Sequence, residues 1–120
     1  MKKLLEYESF TDPQDIVITI PKTISWSEYE KELAAAEKGE TLNFKVRHFP
    51  KTKPGNRCYV CHDGSIKGWM EISKLSEKEF ECTTTGKTWK GKFVERTGKF
   101  NKLDEPIPMT GFRGFKYFSK

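Results

Sequence analysis

This chain is poor in the residues that usually carry catalysis or cross-links. It holds two histidines and three cysteines in 120 residues. An odd cysteine count without framework spacing does not make a disulfide scaffold, so free thiols in a reducing compartment are expected. Long hydrophobic runs are missing as well. Nothing approaches the roughly 20 apolar residues that a membrane-spanning helix needs. Met1-Lys2-Lys3-Leu4-Leu5 begins like a signal peptide, but Glu6 and Glu8 cut its apolar stretch short and argue against secretion. A cytoplasmic protein with no membrane partner is expected. Acidic residues are scarce in one region. Positions 83–120 hold nine Lys/Arg against three Asp/Glu, whereas 1–82 hold thirteen against fourteen.

That basic third is also aromatic, with Trp89, Phe93, Phe100, Phe112, Phe115, Tyr117 and Phe118. Cations attract phosphates without reading sequence, and ring faces stack on unpaired bases. The combination points to nucleic acid. The competing account is a basic strand pair whose rings are core, since aromatics are common in strands.

The length fits one domain, 1–120, able to bury a core without metal or disulfide. Residues 15–20 are apolar, β-branched and stopped by Pro21, which predicts a strand. Ser25 and Glu28 form a capping box, and Ile24 with Tyr29 a hydrophobic staple. Trp26, Tyr29, Leu33 and Ala36 recur at helical spacing and Gly39 supplies the stop, so a helix is predicted over 26–38. Leu42, Phe44 and Val46 alternate with polar residues as a half-buried strand. Residues 58–62 and 65–72 form a hairpin about Asp63-Gly64, a type I′ turn. A second hairpin, 79–84 with 88–96, turns about Thr85-Gly86-Lys87. The Pro-rich segment 104–111 reads as a loop or edge crossing, and 112–118 as a final strand. The expectation is a mainly β (α+β) fold. It would be a small mixed-strand pseudobarrel of six to seven strands, closed or nearly so, with the N-terminal helix plugging one end.

Two motifs invite chemistry and are rejected. Cys58-Tyr59-Val60-Cys61-His62 spells the C-x-x-C-H haem-attachment pattern. On a strand, residues three apart face opposite sides, so Cys58 and Cys61 are not expected to share a haem or a metal. Gly86-Lys87-Thr88 copies the tail of a phosphate-binding loop, but Glu81 stands where that loop needs its first glycine. No metal and no cofactor are expected, and no nucleophile motif includes His48 or His62.

A two-residue turn at Asp63-Gly64 sets Cys58 opposite Trp69, Tyr59 opposite Gly68 and Val60 opposite Lys67. One face then carries Tyr59, Cys61, Ile66, Met70 and Ile72. The other carries Lys67, Trp69 and Glu71, a large ring between two charges, as in a stacking platform. Alternatively, Trp69 packs beneath another element while its neighbours snorkel. The loop 47–57 is basic, with Arg47, Lys51, Lys53 and Arg57. Arg113 alternates with Phe115 and Tyr117, and an arginine between rings lines a pocket or pairs a buried acid.

The strand that ends in Arg47-x-x-Pro50, followed by the run from Gly55 to Trp69 (GNRCYVCHDGSIKGW), resembles the middle of a PUA-like domain of the ASCH or EVE kind. The likeness spans residues 40–118 and is one of pattern; the Gly-x-Lys-x-x-Glu-x-Arg signature of many ASCH domains is absent. It implies a pseudobarrel with a helix near its mouth and a cleft that, in relatives, binds RNA or a modified base. By that likeness Arg47, Lys51, Trp69 and Arg113 are cleft residues.

The expected function is nucleic-acid binding, to single-stranded RNA more than DNA, or to an extruded or modified base. Lys51, Lys53, Arg57, Lys90 and Arg96 would meet phosphates, Trp69 and Trp89 would stack, and Arg47, Lys67 and Arg113 would complete the site. The alternatives are a small hydrolase of modified nucleosides, with a lysine or glutamate as acid/base, and a protein-interaction module.

Overall fold

The structure, a computed structural model, describes residues 14–81, 88–112 and 114–118, with Phe80 and Trp89 described by their backbone alone. The elements follow in the order β1 (Ile16–Thr19), α1 (Trp26–Glu37), β2 (Leu42–Val46), β3 (Arg57–His62), β4 (Ser65–Glu81), β5 (Thr88–Arg96), β6 (Asn101–Pro108) and β7 (Phe115–Tyr117). The fold is mainly β, with one helix and a mixed sheet among the described residues.

Local signals placed two elements well. The Ser25 hydroxyl accepts the Glu28 N–H at 3.2 Å and caps α1. Tyr29, Leu33 and Ala36 are its buried residues, and Gly39 leaves the helix at φ 110°. Asp63 and Gly64 both take positive φ, 48° and 83°, which a type I′ turn demands.

The sheet corrects four expectations, the last being the loop or edge crossing expected over 104–111. First, it does not close into a barrel. Its path runs β2-β5-β4-β3-β1-β7, with β6 beside β4, so β2 and β7 remain its two ends. Strand β7 is three residues long and starts just after a left-handed turn at Gly114 (φ 73°), which leaves little backbone to zip onto β2. Second, the β3–β4 register is offset. Cys58 opposes Met70, Tyr59 opposes Trp69 and Val60 opposes Gly68, while Cys61 opposes Ile66. Lys67 is the extra residue of a bulge, and a bulge reverses the face of everything beyond it. Third, 65–81 is one 17-residue strand rather than a hairpin arm followed by a separate strand. Fourth, the Pro-rich segment forms the second half of β6, which pairs with the start of β4.

The sheet buries residues on both faces. On the inner face α1 packs Tyr29, Leu33 and Ala36 onto Ile16, Ile18, Cys58, Val60, Met70, Ile72 and Val94. On the outer face Val17, Tyr59, Cys61 and Ile66 are covered by Trp69, Leu103, Met109, Phe112 and Phe118. Phe100 reaches the inner cluster by crossing Gly68, where any Cβ would collide with its ring and with the Asn101 carbonyl.

Two stability outcomes follow from this packing. Leu33→Ala should cost about 2–5 kcal/mol in denaturant melts, because its side chain is buried between helix and sheet. Gly68→Ala should lower the melting temperature and raise amide exchange in β6, since Phe100 and the Asn101 backbone must retreat together. A melt unchanged by Leu33→Ala would mean that α1 does not pack on the sheet.

Candidate functional site

The two open ends of the sheet meet at a cleft of about 1000 Å³. Strand β2 and the residue after it bring Lys45 and Arg47 to its lining, and His48 follows them. Strand β5 brings Lys92, β4 brings Glu77, and the C-terminal strand brings Phe115 and Tyr117. Lysine and arginine thus outnumber acid three to one in the lining. Lys45 and Arg47 flank the buried Val46, which pairs with Lys92, so alternation sets Lys45 on the face away from Lys92 and the cleft takes cations from both sides of the edge strand β2. Gly91 contributes by what it lacks. A Cβ there would meet Lys45 Cε at 3.0 Å, so glycine gives the lysine stem room to lie across β5.

The aromatic part of the cleft is ordered by ring contacts. Phe115 meets His48 edge-on at 5.6 Å and Tyr117 edge-on at the same spacing. The Lys51 N–H donates to the Tyr117 hydroxyl at 3.0 Å, which fixes the ring at the seam. Tyr117 nevertheless stays 41% exposed. Phe49, beside His48 in sequence, is 38% exposed with the Lys92 ammonium 5.7 Å from its ring centre. An exposed ring flanked by cations can take a planar group on its face and an anion at its edge.

The residues singled out from sequence do not converge here. Arg47 lines the cleft, and Lys51 adjoins it through its backbone. Lys53 is exposed on the loop beyond. Arg57 and Trp69 lie together on the outer face, where the guanidinium carbon sits 3.9 Å from the indole centre. Lys67, at the β4 bulge, is half-buried. Lys90 stands opposite Glu79 on the β4–β5 arm, as Lys92 stands opposite Glu77 within the cleft lining, so each charge has an acid across the ladder. Arg113 and the Trp89 side chain lie outside the described residues.

Arg96 is corrected outright. It is 3% exposed and donates to the Tyr29 hydroxyl at 2.9 Å, while its Nε has no partner. It joins α1 to the sheet and does not meet solvent phosphates. Beside it, burial pushes the Cys58 thiol up to about 11 against the pull of Arg96. Burial likewise raises the Tyr29 hydroxyl, against the same guanidinium. Cys58 belongs to the inner cluster and Cys61 to the outer one, so the two thiols face opposite sides of β3.

Sequence reasoning left Lys45, His48 and Lys92 out of the site. Their alternation was visible, but it could not reveal that β2 and β7 end the sheet and share a cleft.

The Tyr29–Arg96 pair gives a separable outcome. Tyr29→Phe strands a buried guanidinium and should cost about 2–5 kcal/mol. The double variant Tyr29→Phe/Arg96→Met removes the charge while keeping the stem, and should melt above Tyr29→Phe alone. Additive losses in denaturant melts would show that the two side chains do not act as a unit. No protein-family model, curated protein or solved structure matches this chain.

Proposed function

We propose that the seam cleft binds single-stranded nucleic acid, RNA in preference to DNA, with an unpaired base against Tyr117 and Phe115. Lys45, Arg47 and Lys92 would carry the phosphates and His48 would flank the base. The observation that supports this most is the pairing of an exposed, positioned ring with an excess of cations in one concave site. Single strands are held in this way, by a positive groove along the backbone and rings beneath the bases. The resemblance to PUA-like domains belongs to the same proposal and points to the same ligand class. The open seam takes the place of the mouth that such a barrel would have. Among the described residues no helix is long and apolar enough to cross a membrane. A cytoplasmic location is part of the proposal.

Fluorescence anisotropy with short single-stranded RNA provides the test. Tyr117→Ala should weaken binding by about 1–3 kcal/mol, the worth of one stacked base. Tyr117→Phe keeps the ring and should retain most of the affinity. Arg47→Ala and Lys92→Ala should each flatten the salt dependence by about 0.7 units per phosphate contact. Binding that ignores salt and Tyr117 alike would remove the proposal.

A further inference from the structure

Arg57 sits at the margin of the outer cluster, against Tyr59 and Trp69. Its guanidinium lies over the Trp69 ring at 3.9 Å and donates through Nη1 to the Tyr59 hydroxyl at 3.2 Å. Its backbone is also held, because the Asp15 carboxylate accepts the Arg57 N–H at 2.8 Å. Glu71 stands directly opposite Arg57 in the β3–β4 register, yet the guanidinium lies on the ring. Arg57 remains half-buried, with part of its surface open to solvent. The result is a planar cation, clamped by a hydrogen bond and backed by an indole. Such a plane is itself a stacking surface for a nucleobase. Glu71 beside it disfavours a phosphate, so the position suits a base.

The loop 50–56 connects this platform with the cleft. At one end the Lys51 N–H holds Tyr117, and at the other the chain enters β3 at Arg57. Lys51 and Lys53 are exposed between them. Six residues of chain span at most about 20 Å. The loop turns on itself at Thr52 and Asn56, so a strand following it has at most about six phosphate steps to cover. The loop thus carries cations over a stretch that a short single strand can follow.

We infer that the Arg57–Trp69 pair is a second base-stacking subsite for the same single-stranded RNA, reached from the seam cleft across Lys51 and Lys53. The inference rests on the proposed RNA binding in the cleft and extends the ligand from one base to a short oligonucleotide. The Trp69 ring then acts indirectly: it holds the guanidinium plane that the base meets. This explains how Trp69 can serve a site while its own face is covered.

The experiment compares a tri- and a nonanucleotide of single-stranded RNA by anisotropy, on wild type and on Arg57→Lys. Lysine keeps the charge and loses the plane. Wild type should bind the nonanucleotide more tightly than the trinucleotide. Arg57→Lys should weaken the nonanucleotide about tenfold, within the range of one lost stack, and leave the trinucleotide unchanged. Equal effects on both lengths, or none on either, would overturn the second subsite and leave the cleft standing. Failure of wild type to bind any RNA would remove the cleft reading and the subsite with it. Photo-crosslinking of the wild-type chain to a 5-bromouracil-containing nonanucleotide does not depend on how the variant folds. A crosslinked peptide containing residues 57–69 supports the subsite; crosslinks confined to the cleft strands overturn it.

Discussion

Strand β4 carries two extra residues, Lys67 and Ser73, and the shape of the protein depends on them. Each sits where the ladder shifts by one, the first against β3 and the second against β5. A bulge bends its strand and reverses which side chains face inward. Because of Lys67, Ile66 and Trp69 share the outer face although they are three apart, while Met70 turns inward. Because of Ser73, Ile72 and Leu75 both reach the inner cluster. The Ser73 hydroxyl donates to the Glu95 carbonyl at 3.0 Å, so the extra residue is tied to the neighbouring strand. Strands β5 and β6 then run in succession along β4, with Arg96 opposite Ile72 and Asn101 opposite Trp69. A straight, unbulged β4 would put Trp69 inside and Met70 outside.

Charge has to be read together with burial in this chain. Arg96 and Arg47 contribute equally to the net charge, yet one is locked beneath α1 and the other lines an open cleft. Burying a guanidinium costs several kcal/mol after relaxation, and the Tyr29 hydroxyl and the charge of Glu32 offset part of it. Lys90 faces Glu79, and Lys78 lies 3.3 Å from Glu95, so the β4–β5 arm also uses its cations partly within itself. Of the positive charge of the last third, Arg96 and Lys90 therefore meet partners within the fold. Among the described residues of that third, Lys92, opposite Glu77, joins Lys45 and Arg47 at the cleft.

What was legible in the sequence was local. The Ser25 cap, the α1 stripe and the Asp63-Gly64 turn each depend on residues within a few positions of one another, and each stands where expected. The opposite facing of Cys58 and Cys61 also follows from alternation along one strand. The β3–β4 register was not legible beyond the turn, because alternation carries no mark of an inserted residue. Lys67 is a plausible outward residue in either register. The cleft was illegible for a different reason. It joins residues 45–48 to residues 115–117 through the order of strands across the whole sheet, and no local pattern encodes that order. Arg47 was found through its basic loop, whereas Lys45 and Lys92 read as the polar half of ordinary strands.

The open seam is in tension with stability. An unpaired edge is a template for aggregation, and proteins blunt it with short strands, charge or a covering loop. All three devices meet here. Strand β7 has three residues, β2 presents Lys45, and the loop 47–56 comes over to the other edge. The loop reaches that edge through the Tyr117 side chain, with the Lys51 N–H bonded to a phenol instead of a strand carbonyl. A backbone pairing there would have continued the sheet and filled the space that the cleft occupies. The side-chain contact protects the edge and keeps the cleft open, at the cost of the hydrogen bonds that a closed barrel would have made. Two contacts of Tyr117 thus need the same position: its hydroxyl anchors the loop and its exposed ring lines the cleft.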